Sequence, residues 1–113
     1  MQRTATAQRT ATARGAMLAD PARDWTLDGL AEIAATSRAT LVRLFQKEGG
    51  AAPLAFLGEL RLNLAHRRLV SSRESLAGIA EAVGYQSESA LSRAYRRHFG
   101  IAPGAARKAH EGP

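Results

Sequence analysis

Apolar positions along the chain form one pattern that occurs twice, about fifty residues apart. In each copy a tight turn separates two short amphipathic segments, a serine opens the second segment, and an aromatic-x4-Gly-x2-Pro phrase closes it. The first copy has its landmarks at Leu30, Ala31, Ser37, Leu41, Leu44, Phe45, Gly50 and Pro53, and the second at Ile79, Ala80, Ser87, Leu91, Ala94, Tyr95, Gly100 and Pro103. Helix, turn and serine-capped helix is the order of a helix-turn-helix motif, and two such motifs indicate DNA as the target.

The first copy predicts one helix over 27–35 and another over 38–48. Thr26 and Ser37 are suited to cap them, because a side-chain oxygen at the N-cap accepts from an unpaired backbone N–H. At 100° per residue, the second helix has a core side and an open side. The core side carries Leu41, Leu44 and Phe45, and the open side carries Ala39, Val42, Arg43 and Gln46. The open side is therefore free to enter a groove.

A long helix is predicted from Pro53 to about Val70, since proline at the first helical position gives up no N–H that the helix needs. Two apolar stripes run along it, with Leu57, Leu60 and Leu64 in one and Leu62, Ala65 and Leu69 in the other. A helix that is apolar on two faces is expected to be packed between two lobes. Arg61 lies between the stripes, and we expect a structural role for it, with Glu81 as one candidate partner.

The second copy predicts helices over 76–83 and 88–99, capped by Ser75 and Ser87. Gly84 follows the first of them and can adopt the left-handed conformation that ends a helix. The second helix buries Leu91, Ala94 and Tyr95, and its open side carries Ser89, Ser92, Arg93 and Arg96. A short last helix is expected over 105–109.

The N-terminal segment has a different character, because residues 2–13 are the phrase QRTATA written twice. This run of Thr, Ala and Arg has no large apolar side chain whose burial could offset the entropy of ordering. We therefore expect a disordered tail over 1–15, with an arginine arm that touches phosphates as the alternative. The expected domains are this tail, a first lobe over 16–52, a linker helix over 53–71, a second lobe over 72–109 and a tail over 110–113.

The charge of the chain supports DNA binding without deciding it. The 113 residues include 16 Lys plus Arg and 10 acids, for a net charge of +6. From residue 16 onward there are 13 basic residues against 10 acids, so only +3 remains. Arginine supplies 14 of the 16 cations, and its planar fork suits guanine edges and phosphates. A genome rich in G and C, which favours arginine codons, is an equal alternative explanation of this bias.

Several classes of chemistry are excluded. The absence of cysteine rules out disulfides and cysteine-based zinc or catalytic sites. His66, His98 and His110 do not cluster at ligand spacing, so no metal is expected. There is no catalytic triad, acid pair or glycine-rich phosphate loop, and we expect neither an enzyme nor a cofactor. No apolar run approaches the roughly 18 residues of a membrane span and no signal core opens the chain, so we expect a cytoplasmic protein without a membrane partner.

Three phrases carry a family resemblance: P-x2-F-L-x3-R-L-x2-A-x3-L over 53–69, S-L-A-G-I-A-E-A-V-G-Y over 75–85, and S-R-A-Y-x4-G-I-A-P over 92–103. With their spacing they make the region from about Trp25 to Arg107, over two thirds of the chain, resemble the DNA-binding domain of AraC/XylS-type transcriptional regulators. The resemblance implies an all-α fold, in which two helix-turn-helix, homeodomain-like lobes are joined by a long linker helix.

The resemblance also implies which residues contact DNA. The base-reading positions fall at Ala39, Val42, Arg43, Glu88, Ser89 and Arg93. Contacts with the DNA backbone are expected from Ser37, Arg38, Gln46, Lys47, Ser87, Ser92, Arg96 and Arg97. Arg43 and Arg93 can each fork onto a guanine. For Glu88, a structural role at the positive end of its helix is an equal alternative, and for each cation a solvated surface charge is the alternative to a phosphate contact.

The linker length makes a two-headed arrangement feasible. A helix of roughly 17 residues spans about 26 Å, and successive major grooves on one face of B-DNA lie about 34 Å apart. We therefore expect one monomer to read two successive major grooves of double-stranded DNA at an asymmetric site. A contact with RNA polymerase is left open, and the expected location is the bacterial cytoplasm, in association with the nucleoid.

Two departures from the family pattern define an alternative. Ala35 and Thr36 stand in the first turn where a glycine is usual, and a left-handed backbone at a non-glycine residue costs roughly 1 kcal/mol. In addition, only 14–21 resembles the end of the helix that opens family domains. The main hypothesis is a sequence-specific DNA-binding transcriptional regulator. The alternative is a truncated family remnant with an unstable first lobe, acting as a weak DNA-binding fragment or a protein-interaction decoy.

Overall fold

Seven α-helices make up the part of the chain that the computed structural model describes, which is residues 2–111, with side chains from residue 5 onward. They are α1 (Gln2–Ala19), α2 (Leu27–Ile33), α3 (Arg38–Gly49), α4 (Pro53–Ser71), α5 (Leu76–Val83), α6 (Glu88–Phe99) and α7 (Pro103–Glu111). The expected all-α class with two helix-turn-helix motifs, α2–α3 and α5–α6, is confirmed. The chain forms two compact units that divide after Gly58, within α4, which we call unit 1 and unit 2.

The N-terminal segment is a helix, so the prediction of a disordered tail over 1–15 is wrong for the residues described; Met1 lies outside them. α1 places Thr10, Ala13 and Met17 on one face, and all three are fully buried. The Thr10 hydroxyl donates to the carbonyl of Ala7 at 3.0 Å, so its burial leaves no unpaired donor. The prediction was based on the absence of large apolar residues. Alanine and threonine are nevertheless sufficient to form a core where helices pack closely, and alanine also favours the helical conformation.

Unit 1 is built around α1, which packs on both α2 and α3. The buried side chains of Leu30, Leu41 and Phe45 are among the other residues of its core. The Arg14 guanidinium lies 5.0 Å from the ring centroid of Phe45 and 5.6 Å from that of Phe56, a cation–π arrangement that covers the edge of this core. The opening helix that the sequence shows only in part is therefore present, and the first lobe extends N-terminally beyond the expected boundary at residue 16.

The turn between α2 and α3 contains the one strained backbone conformation among the described non-glycine residues. Ala35 has a φ of 56°, in the left-handed region, as the missing glycine led us to expect. The N–H of Thr36 donates to the carbonyl of Ala31 at 3.0 Å, which closes the end of α2. The turn thus keeps its hydrogen bond at the expense of strain at Ala35.

Unit 2 packs the C-terminal part of α4 against α5, α6 and α7. Its core joins Leu62, Ala65 and Leu69 of α4 to Ile79, Ala80, Val83, Leu91, Tyr95 and Ala106. The Tyr95 hydroxyl lies 2.8 Å from Nδ1 of His66, and Nε of Arg107 donates to the carbonyl of Leu69 at 2.9 Å. α7 is longer than the helix expected over 105–109, so 110 and 111 are helical rather than a tail, and 112–113 lie outside the described residues.

The packing of α1 can be tested with neighbouring substitutions. Met17→Ala removes a fully buried side chain, so we expect it to lower the free energy of unfolding by about 2–5 kcal/mol. Leu18→Ala is the control, because Leu18 is 55% exposed and its loss should change stability by about 0.5 kcal/mol. Thermal or urea unfolding of the two variants measures the difference, and equal stabilities would contradict the packing of α1 into unit 1.

Candidate nucleic-acid interface

The start of α3 is fixed by a serine cap. Ser37 has an extended backbone (φ −78°, ψ 159°), and its Oγ accepts from the N–H of Thr40 at 3.1 Å. The Ser37 hydroxyl also donates to Oγ1 of Thr40 at 2.9 Å. Sequence reasoning missed Thr40, although the Ser-x-x-Thr spacing, a relative of the capping box, could have shown it. The hydroxyls of Ser37 and Thr40, joined by one hydrogen bond, therefore lie at the N-terminus of α3, where the helix presents its unpaired N–H groups.

The side of α3 opposite its core is open, as expected. Ala39, Arg43, Gln46 and Lys47 are exposed and Val42 is half-buried. The opposite side buries Leu41, Leu44 and Phe45. α3 thus offers one surface of small, apolar and amide groups around the guanidinium of Arg43, which is a surface that can lie in a major groove.

α6 repeats the arrangement in unit 2. Ser87 is extended (φ −153°, ψ 160°), and its Oγ accepts from the N–H of Ala90 at 3.0 Å. Beyond the cap, Ser92 is half-buried, and the exposed residues of the open side are Glu88, Ser89, Arg93, Arg96 and Arg97. Arg93 follows Ser87 by six positions, as Arg43 follows Ser37. Each helix therefore carries one arginine at the same place relative to its cap.

The charges on the two helices differ in their partners. Nε of Arg38 lies 3.1 Å from Oδ1 of Asp28, and both side chains are largely exposed, so water screens this pair and it contributes little to stability. Glu88 stands in the first turn of α6, where a carboxylate interacts favourably with the helix dipole. The last turn of α6 adds Arg96, Arg97 and His98. The C-terminal half of α6 is accordingly its positive half.

The structure brings the predicted site residues together in two sets, one on each capped helix. Ser37, Arg38, Ala39, Val42, Arg43, Gln46 and Lys47 belong to unit 1, and Ser87, Glu88, Ser89, Ser92, Arg93, Arg96 and Arg97 belong to unit 2. None of them is buried. Their contacts with bases and phosphates stay predictions.

Two other features bear on the kind of site. Burial raises the pKa of the Tyr95 hydroxyl, so this group stays a neutral hydrogen-bonding partner of His66.

Within residues 2–111, no three His, Asp or Glu side chains converge in a way that could hold a metal ion. The same stretch contains no helix with the length and apolar character needed to cross a bilayer.

Comparison with known proteins identifies the class. A family model described as a helix-turn-helix domain matches residues 30–109, more than half of the chain. The RCS-specific HTH-type transcriptional activator RclR of Escherichia coli K12 is 47% identical over 90 residues, which are 78% of this chain and 31% of that protein. The HTH-type transcriptional regulator AlkR of Acinetobacter baylyi is 40% identical over 91 residues, 80% of this chain and 30% of that protein.

Solved structures agree with this class. An AraC-type transcriptional regulator from Chromobacterium violaceum superposes with a TM-score of 0.85 at 32% identity, covering 93% of this chain and 94% of that one. The DNA-binding domain of AdpA, a global transcriptional factor crystallised with a target DNA, gives a TM-score of 0.87 at 32% identity, covering 92% and 94%. The chain belongs to the AraC-type family of helix-turn-helix proteins, whose members are DNA-binding transcription regulators. It spans about a third of the length of the curated relatives it matches.

The caps give a test that needs no DNA. Ser87→Ala leaves the N–H of Ala90 without its acceptor, so we expect it to lower the free energy of unfolding by about 1 kcal/mol. Ser89→Ala is the matched control, because Ser89 is an exposed serine of the same helix and its loss should change stability by about 0.5 kcal/mol or less. Thermal unfolding compares the two. If both variants unfold at the same temperature, the Ser87 hydroxyl does not cap α6.

Proposed function

We propose that this chain is the sequence-specific DNA-binding part of a transcriptional regulator, with α3 and α6 as its two recognition helices. The observation that carries the proposal is the repeated geometry of a serine cap followed six residues later by an exposed arginine, Arg43 in one helix and Arg93 in the other. Family membership supports the same function, since relatives with this fold bear names of transcriptional activators and regulators.

Base reading is assigned to six side chains. Arg43 and Arg93 each donate through their planar fork to N7 and O6 of a guanine. Ala39 and Val42 contact a thymine methyl, because they have no polar atom beyond the backbone. Glu88 and Ser89 complete the set at the start of α6, where the carboxylate accepts from the N4 amino group of a cytosine and the hydroxyl pairs with an adjacent base. The first head therefore discriminates mainly through Arg43.

Contacts with the DNA backbone set the affinity and the register. The groups assigned to this role are Ser37, Arg38, Gln46, Lys47, Ser87, Ser92, Arg96 and Arg97. Both serine hydroxyls accept from helix N–H groups. The Ser87 hydroxyl can still donate to a phosphate oxygen, whereas the Ser37 hydroxyl would first have to leave Oγ1 of Thr40. Such contacts are insensitive to sequence and weaken as salt rises.

A monomer is sufficient for this function, because one chain carries both recognition helices. The two helices differ in sequence, so the DNA site is asymmetric, with two half-sites about ten base pairs apart. The regulator works in the bacterial cytoplasm at the nucleoid, and RNA polymerase is a further partner to test. The remnant alternative rested on an unstable first lobe, and the packing of α1 on α2 and α3 argues against it.

Selection of bound duplexes from a random DNA library, with the purified chain at about 0.15 M salt, tests the proposal directly, because non-specific binding is weak there, with a Kd of roughly 10⁻⁴–10⁻⁶ M. We expect a motif with two half-sites. A library that returns no motif would sink the proposal of sequence-specific recognition, and a motif from one half-site would reduce it to a single head.

Substitution of the two central arginines tests the roles within that motif. Arg43→Ala and Arg93→Ala should each lose roughly 1–3 kcal/mol of binding free energy on the preferred site and relax the preference for guanine at one position. Arg97→Ala is the control on α6, and it should weaken binding to all sequences alike and reduce the salt slope by about 1. Both effects are measured by titration of labelled duplexes. Uniform losses for Arg93→Ala on preferred and altered sites would remove it from base reading.

A further inference from the structure

The turn of the second helix-turn-helix motif is covered by an arginine. Gly84 ends α5 with a φ of 106°, and a Cβ placed on it would lie 2.7 Å from Nε, 2.8 Å from Cζ and 2.9 Å from Nη2 of Arg61. The Arg61 guanidinium therefore occupies the space that any side chain at position 84 would need. Glycine is therefore required at position 84 for two reasons: the left-handed backbone conformation, and the close approach of Arg61.

The same guanidinium acts electrostatically on the next residue of the turn. Burial raises the pKa of the Tyr85 hydroxyl, and the positive charge of Arg61 opposes that rise. The N–H groups of Gly84 and Tyr85 both donate to the carbonyl of Ala80, at 3.0 and 2.8 Å. Arg61 thus stands where α5 presents the negative end of its dipole, and a cation is favourable there.

Unit 1 contains a counterpart of Arg61. The buried face of α1 is Thr10, Ala13 and Met17, and the buried face of the C-terminal part of α4 is Leu62, Ala65 and Leu69, with the same spacing of three and four residues. An arginine immediately precedes each set, Arg9 in α1 and Arg61 in α4. The turns correspond as well, since the N–H of Thr36 bonds to Ala31 as that of Tyr85 bonds to Ala80.

The counterpart is not seated in the same way. Arg9 is exposed, and together with Gln8, Thr12 and Ala35 it lines an open groove of about 250 Å³. Position 35 is an alanine with φ 56°, whereas the matching position in unit 2 is Gly84. By analogy with Gly84, the Cβ of Ala35 would collide with a guanidinium seated against this turn.

We propose that Arg61 is a positioning residue that clamps the α5–α6 turn through Gly84, and that Ala35 keeps the matching clamp of Arg9 open in the first motif. The two heads then differ in rigidity as well as in sequence. The clamp itself is a property of the folded chain, and its consequence for base reading rests on the proposed function. The second head holds α6 in a fixed orientation, and the first head allows α3 to adjust.

The clamp is tested first without DNA. We expect Arg61→Ala to lower the Tm by about 4–8 °C and to speed amide hydrogen exchange at Gly84 and Tyr85 about tenfold relative to Arg67→Ala, an exposed arginine on the same helix. Arg61→Lys keeps the aliphatic stem and the charge but lacks the planar group, so it should restore less than half of the lost protection. Full rescue by lysine, or equal exchange in Arg61→Ala and Arg67→Ala, would overturn the clamp.

A double-mutant cycle tests the open clamp of unit 1. In the wild-type background Arg9→Ala should change the Tm by about 2 °C or less, as for an exposed side chain. In the Ala35→Gly background the seat becomes free, so Arg9→Ala should lower the Tm by about 4 °C or more. Ala35→Gly also relieves backbone strain, but it does so equally with and without Arg9→Ala. The cycle therefore cancels that contribution. Equal effects of Arg9→Ala in the two backgrounds would overturn the assignment of Arg9.

Binding then connects the clamp to recognition. On the selected two-headed site, Arg61→Ala should relax base preference in the α6 half-site about tenfold and leave the α3 half-site unchanged. Equal relaxation at both half-sites would overturn the positioning role. Failure of the wild-type chain to select any sequence would overturn the proposed function, while the unfolding and exchange results would still decide the clamp.

Discussion

The structure depends on one constraint, which is that α2 and α5 are too short to be stable alone. They have seven and eight residues, whereas isolated helices shorter than roughly 12–15 residues are marginal in water. Each must therefore gain its stability from a longer neighbour, α1 in unit 1 and the C-terminal part of α4 in unit 2. The buried faces of these two helices consequently decide how well each recognition helix is held.

Much of this architecture could be predicted from the sequence, because it follows from local signals. The serine caps at Ser37 and Ser87, the apolar spacing after them and the proline at the start of α4 determine helix starts through backbone chemistry alone. The left-handed turn at Ala35 was predictable because the family pattern usually has a glycine in this turn. The open faces of α3 and α6 followed from helical periodicity, although which bases or phosphates they meet depends on a partner that periodicity does not describe.

The N-terminal part of α1 was missed because its burial is a tertiary effect. Thr10 and Ala13 have no strong apolar signal, and they become core residues only when α2 and α3 cover them. The hydroxyl of Thr10 could be buried because the carbonyl of Ala7 in the same helix accepts its hydrogen bond. The place of Arg61 against Gly84 likewise depends on a close approach between two helices that are distant in sequence, and a sequence pattern does not give such distances.

The ion pair between Asp28 and Arg38 has a consequence for the thermodynamics of association. In the proposed complex, a phosphate replaces the carboxylate of Asp28 as the partner of the Arg38 guanidinium. The small ions released on binding are the cations condensed on the DNA, so their number depends on how many phosphates are neutralised. The released carboxylate of Asp28 is left near the polyanion, and its repulsion penalises tight approach by the first head. In the proposed complex, the acidic partner would therefore moderate how strongly unit 1 holds DNA of any sequence.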